Sequence, residues 1–232
     1  MIERYSITVT AEQLAERFAV DVPEFYRPHY NAAPTQLLPI ITSSAPNGLS
    51  LFYWGTSPEW SKNKMPAEKT INIRTEYFAE KQALRRALTK TRCLIPADGF
   101  YAWKKVGKKT SIPYRFVPVD NAAFALAGLW EEFEDTEGQE MHTFSIITAP
   151  ANMTVSLVSE RMPVILSRRN ESAWMNPAST EAELLAIVNT EYEGPLSFYP
   201  VSPGISNTSF DLASMIIPTP PVDQHGNLTL FD

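Results

Sequence analysis

The sequence predicts an α+β protein, and three observations carry that expectation. Apolar residues make up 44% of the 232, enough for a sizeable core and too many for a disordered chain. Strand-like runs crowd the middle of the chain, roughly residues 93–148, whereas the helical patterns are short and lie to either side. No repeat, low-complexity block or linker divides the sequence, so one domain over residues 1–232 is the simplest account, with a proline-rich tail (200–232) packed on it.

Each element has a local reason. Thr10 ahead of Ala-Glu-Gln-Leu-Ala-Glu-Arg-Phe reads as an N-cap with a short helix ending at Phe18. Residues 21–39 form a proline-punctuated loop. Strands are expected at 37–42 and 49–54, with Pro46-Asn47-Gly48 as the turn between them. Residues 76–88 predict one helix, with Tyr77, Leu84 and Leu88 on one face and Lys81 and Arg85 one turn apart on another. Strands follow at 93–96, 99–106, 112–117, 123–130 and 142–148. Gly107-Lys108-Lys109 marks one hairpin tip and the acidic stretch 131–140 another. Residues 181–189 predict a helix, and the tail closes in a polar turn at 223–227.

Composition and charge exclude several classes of function. Proline is high and glycine low, 19 against 9, which favours stiff irregular connections over glycine-rich phosphate loops. No P-loop, dinucleotide fingerprint or Gly-x-Ser-x-Gly elbow occurs. A single cysteine, Cys93, excludes an internal disulfide and a thiolate zinc site, and its setting suits a packed thiol rather than a nucleophile. His29, His142 and His225 have no second histidine or cysteine at ligand spacing, so neither a metal nor a cofactor is expected, and His142 reads as a structural histidine. The longest apolar run, about 122–130, falls short of the ~20 residues of a membrane helix, and no signal peptide is visible; a cytoplasmic protein is the default. The net charge of −6 hides an asymmetry: residues 81–109 hold nine bases and one acid, residues 120–140 seven acids and no base. Overall acidity argues against indiscriminate binding to duplex DNA, while a basic face can still hold a phosphate backbone.

Three segments look unusual for scaffolding. Trp54 and Trp60 flank a tight turn. Asn72 and Arg74 share one face of an alternating strand. Arg161 sits in a proline-stiffened segment. Guanidinium forks that grip phosphates and indoles that stack on unpaired bases are what single-stranded nucleic acid requires. Tryptophans that fill a core and an asparagine that satisfies backbone groups explain the same residues equally well.

Taken in order, the blocks are Tyr30-Asn31-Ala32-Ala33-Pro34-Thr35-Gln36, Trp54-Gly55 with Pro58 and Trp60, Ile71-Asn72-Ile73-Arg74 with Glu76, and Arg92 through Tyr101. Ala127-Gly128-Leu129-Trp130-Glu131, Ile146-Ile147-Thr148 and Arg161-Met162-Pro163-Val164-Ile165-Leu166 follow. This series resembles the SRAP family of SOS response-associated peptidases, or abasic-site processing proteins, over nearly the whole chain. The resemblance implies a bifurcated mixed sheet with a barrel-like core, flanked by short helices, and binding of single-stranded or junction DNA. It also implies capture of a ring-opened abasic sugar by an N-terminal cysteine exposed through self-processing, assisted by an asparagine, a glutamate and a histidine.

The sequence departs from that pattern at three of four catalytic positions. The family's Met-Cys-Gly-Arg is Met1-Ile2-Glu3-Arg4, so Ile2 replaces the nucleophile. Ala102 stands in place of the glutamate and Ser159 in place of the histidine; Asn72 is retained. Without a thiol no thiazolidine can close, bulky Ile2 should block removal of Met1, and a serine is a poor substitute for imidazole near neutral pH. The expected DNA-binding positions Arg4, Asn31, Pro34, Trp54, Trp60, Arg74 and Arg161 remain. The expectation is a monomeric DNA-binding protein whose covalent chemistry is lost. The alternatives are imine chemistry through the N-terminal amine, with Glu3 as the nearby carboxylate, and a partner-binding scaffold using the acidic stretch.

Overall fold

The computed structural model describes residues 1–55, 71–108, 110–134, 140–223 and 225–228. Five strands, β3 (Leu37–Thr42), β4 (Ala45–Trp54), β6 (Arg92–Ala97), β9 (Phe124–Glu134) and β10 (Glu140–Pro150), pair in the ring β10-β4-β3-β6-β9-β10 and close a barrel. β6 is buried along its whole length, one face toward the barrel interior and the other beneath a second apolar layer, whereas β4 is buried only at Trp54. Cys93, Ile95, Leu126, Phe144 and Ile146 pack within one cluster. Leu94, Ala125, Ala127, Leu129 and Ile147 point the other way, onto a second cluster.

The sheet forks beyond Ile146. Up to there β10 pairs with β9; from Thr148 to Pro150 its partner is β11 (Arg161–Pro163), while β12 (Ile165–Leu166) takes the vacated edge of β9. The other edge of β10 carries β4 as far as Phe144 and then β5 (Asn72–Arg74) from Ile146. Gly128 sits inside the barrel because a Cβ there would stand 2.6 Å from Ile95 and 2.9 Å from the Cys93 sulfur. A second sheet has the order β13-β8-β7-β1-β2, made of β1 (Tyr5–Ile7), β2 (His29–Ala32), β7 (Gly99–Lys105), β8 (Ser111–Pro118) and β13 (Leu196–Pro200). Its Tyr5, Phe100 and Phe116 share the barrel's inner cluster, and Phe100 stacks on Phe116 at 5.0 Å.

Helices α1 (Ala11–Phe18), α2 (Tyr77–Glu80), α3 (Gln82–Lys90), α4 (Arg168–Met175) and α5 (Glu181–Asn189) complete the α+β architecture. The expected N-cap holds: Thr10 forms a reciprocal capping box, and Thr180 forms another ahead of α5. Three expectations are corrected. The turn before β4 lies at Ser43-Ser44, because Pro46-Asn47-Gly48 is already strand and the Asn47 carbonyl accepts from Asp21 N–H. The helix expected over 76–88 breaks at Lys81, whose backbone is extended (φ −115°, ψ 104°), and Phe78 rather than Tyr77 is buried along with Leu88. The basic stretch is less available than its count suggests. Arg92 is buried and donates to the carbonyls of Leu88, Trp174 and Asn176, where α3 and α4 end, and Arg85 pairs with Glu181 at 3.4 Å. Among the described residues no helix is long and apolar enough to cross a membrane.

Candidate nucleic-acid interface

The fork in β10 and the N-terminal segment meet at one place. Asn72, at the start of β5, is 2% exposed and makes two bonds with Ile2. Ile2 N–H donates to Asn72 Oδ1 at 3.3 Å, and Asn72 Nδ2 donates to the Ile2 carbonyl at 2.9 Å. The Ile2 side chain is fully buried in the inner cluster. β1 runs antiparallel to β7, with Tyr5 opposite Phe100 and Tyr101 N–H on the Arg4 carbonyl, so the same register sets Glu3 across from Ala102. The Ala102 methyl is buried in the same cluster.

From Asn72 the site continues along β5. Arg74 lies opposite Thr148 of β10, and the Thr148 hydroxyl donates to the Ile73 carbonyl. Arg161 reaches the same threonine from the other edge of β10, donating to its carbonyl at 2.6 Å and its hydroxyl at 3.2 Å. Arg161 also forms a two-pronged pair with Glu76, at 2.7 and 3.0 Å. The hydrogen bonds from Arg161 hold the Glu76 carboxyl down at about 2. Ser159 closes the chain of contacts, its hydroxyl donating to the Arg161 carbonyl and accepting from Arg161 N–H. A cleft of about 250 Å³ adjoins this end, lined by Thr75, Pro150, Met162, Val164 and Tyr192 among others.

The structure therefore gathers Ile2, Asn72, Arg74, Ser159 and Arg161 into one connected region, with Ala102 across the N-terminal strand. Three other positions do not serve as sequence reading expected. Trp54 presents no face for stacking on a base: it is fully buried, its Nε1 donates to the Ile71 carbonyl, and its ring lies 5.4 Å from Tyr5. Arg4 is 8% exposed. Its guanidinium donates to the carbonyls of Glu3 and Ser206, its Nε has no partner, and burial pushes its pKa down. Asn31 is fully buried and clamps the tail by donating to the carbonyls of Asn207 and Phe210. Pro34 stands partly exposed in a turn fixed by Thr35 N–H on the Trp54 carbonyl. Trp60 lies outside the described residues.

The tail is stitched down at the same place. Asp211 accepts from the backbone N–H of Tyr30 and Asn31 and pairs with His29 at 3.0 Å. Burial opposes its ionisation, but the His29 bond and the two backbone donors outweigh that and leave its pKa lowered. Sequence reasoning missed Glu76 and Thr148 as members of the site. Glu76 carried a signal, since it lies two residues beyond Arg74, but its partner is 85 positions away.

A forked, barrel-centred α+β protein whose N-terminal segment is locked onto a strand asparagine defines the class, and the comparisons with known proteins name it. The family model for SOS response associated peptidase (SRAP) matches residues 1–208. The chain is 38% identical over 197 residues to the abasic site processing protein YoqW of Bacillus subtilis, covering 83% of this chain and 88% of that one. It is 35% identical over 223 residues to YoaM of the same organism, an abasic site processing protein, covering 93% and 97%. A crystal structure of a protein from Bacteroides thetaiotaomicron superposes with a TM-score of 0.80 at 25% identity, covering 93% of this chain and 99% of the other. The chain belongs to the SRAP family.

Proposed function

We propose that this chain is a DNA-binding member of the SRAP family that recognises single-stranded or junction DNA and has lost the covalent capture of abasic sites. The observation that carries this reading is the seat of residue 2. Where the resemblance puts a cysteine, Ile2 is fully buried, and its backbone N–H and carbonyl are both held by Asn72. An isoleucine supplies no thiolate, so a thiazolidine cannot form, and the retained asparagine serves as a backbone clamp. Ala102 and Ser159 bring neither a carboxylate nor an imidazole to the same region.

Binding is supported by what surrounds that clamp. Arg74 stands opposite Thr148 on one edge of β10 and Arg161 bonds the same threonine from the other, so two guanidinium-bearing positions flank one point of the fork, where a phosphate backbone could be held. The relatives named as abasic site processing proteins point to the same ligand class. The test pairs wild type with Ile2→Cys/Ala102→Glu/Ser159→His, each incubated with an abasic single-stranded oligonucleotide and read on a denaturing gel. Wild type should bind in fluorescence anisotropy without crosslinking, and the triple variant should gain a crosslink. Absence of binding at low salt would sink the reading, and a borohydride-trapped band with wild type would favour imine chemistry instead.

A further inference from the structure

We propose that Glu132, Glu140 and His142 form a binding site for a divalent transition-metal ion of the zinc type at the mouth of the five-stranded barrel. The alternation of the β9–β10 hairpin places them there. Phe144 and Ile146 line the inner cluster, and two-residue steps back along β10 reach His142 and then Glu140 on the same face. On β9 the matching steps from Leu126 and Gly128 reach Trp130 and Glu132, and Glu132 stands directly opposite His142. The face that lines the barrel lower down thus ends in two carboxylates and an imidazole.

Their geometry fits one ion. His142 Nε2 lies 3.4 Å from a Glu132 carboxylate oxygen and 3.1 Å from a Glu140 oxygen, and the three ligand atoms all lie within 4.8 Å of one another. Ligands about 2.1 Å from a tetrahedral metal stand about 3.4 Å apart, so the metal site needs only small side-chain adjustments. The imidazole is fixed before any ion arrives: it stacks on Phe52 at 4.5 Å with 23° between planes and lies 5.8 Å from Trp130. The carboxylates are 54% and 62% exposed, which leaves an entry path and room for water in the remaining coordination position. A nitrogen with two carboxylate oxygens suits zinc, cobalt or manganese better than calcium or magnesium, which prefer all-oxygen shells. Linear spacing hides such a site, because Glu132 reaches His142 only across the hairpin.

Isothermal titration of the full, tag-free chain with Zn²⁺ tests the proposal, with Co²⁺ absorption reporting the ligand set. One equivalent should bind, with at least tenfold weaker binding in His142→Ala and in Glu132→Gln/Glu140→Gln, and with affinity unchanged in His29→Gln. Zn²⁺ should raise the melting temperature of wild type and not of the double variant. The double variant keeps the aromatic stack, so it decides the matter if His142→Ala folds poorly. No saturable uptake, or uptake unchanged in the double variant, would show that the three groups form only ion pairs and overturn the site.

Discussion

Arg115 and Arg161 each hold a carboxylate, and they do so in opposite settings. Arg115 on β8 is 6% exposed and donates to Asp98, to Ser6 and to the Tyr199 hydroxyl. Asp98 is equally hidden and is further satisfied by the backbone and hydroxyl of Thr8. Even Gly99 is shaped by this network, since a Cβ there would stand 2.7 Å from Arg115 Nε. Arg161 is bonded no less fully, but its partner Glu76 is half exposed. Water competes for Glu76 and not for Asp98. A guanidinium enclosed with its counter-ion fixes a fold, whereas one paired at the surface can exchange its carboxylate for a phosphate at modest cost.

The largest effect should come from breaking the enclosed pair. Arg115→Ala leaves Asp98 buried without its cation, which costs about 3–5 kcal/mol. Urea unfolding should show the loss as an earlier midpoint, while DNA affinity per folded molecule stays unchanged. A loss below 1 kcal/mol would mean that the two arginines do not differ as argued. Asn72→Ala comes next. It strands the Ile2 N–H and carbonyl in a buried place, for about 1–3 kcal/mol of stability. Faster proteolytic cutting at the N-terminal segment would accompany it, and an unaltered midpoint would show that the clamp is slack.

The surface pair should behave in reverse. Arg161→Ala and Arg74→Ala should each weaken binding to a single-stranded oligonucleotide about tenfold, or about 1.4 kcal/mol. Each should lower the slope of affinity against salt by about one ion. Arg161→Ala should cost less than about 1 kcal/mol of stability, since its partner remains hydrated. Anisotropy across a salt series separates the outcomes: a stability loss without a change in slope would make Arg161 a structural residue like Arg115.

The sequence made the α+β class, the Thr10 cap and the strand-rich middle legible because each rests on neighbours a few residues apart. Barrel closure was legible only through the family resemblance, since the β10–β4 pairing joins Thr143 to Tyr53 across a long excursion of chain. The same limit explains the site. Asn72 and Arg74 could be placed together by alternation, but nothing local distinguishes a tryptophan that stacks on a base from Trp54, which fills a core. Nor could Arg4 and Asn31 be seen to lie beneath the tail, because Ser206, Asn207 and Phe210 lie more than 170 residues away.

The smallest and sharpest prediction concerns Glu76. Arg161 holds its carboxyl at about 2, below the ordinary value of about 4.3 for glutamate. A depressed folded-state pKa contributes stability above the unfolded value, and that contribution fades as pH falls from about 4.3 toward 2. Exposure limits it to about 1 kcal/mol or less. Glu76→Gln should therefore be slightly less stable than wild type at pH 7, and the difference should close during an acid titration followed by circular dichroism. At neutral pH the same change removes a negative charge that competes with phosphate for Arg161, so oligonucleotide binding should tighten by a few-fold. If binding weakens instead, Glu76 is what aims Arg161 at the strand, and the pair is a positioning device rather than a competitor.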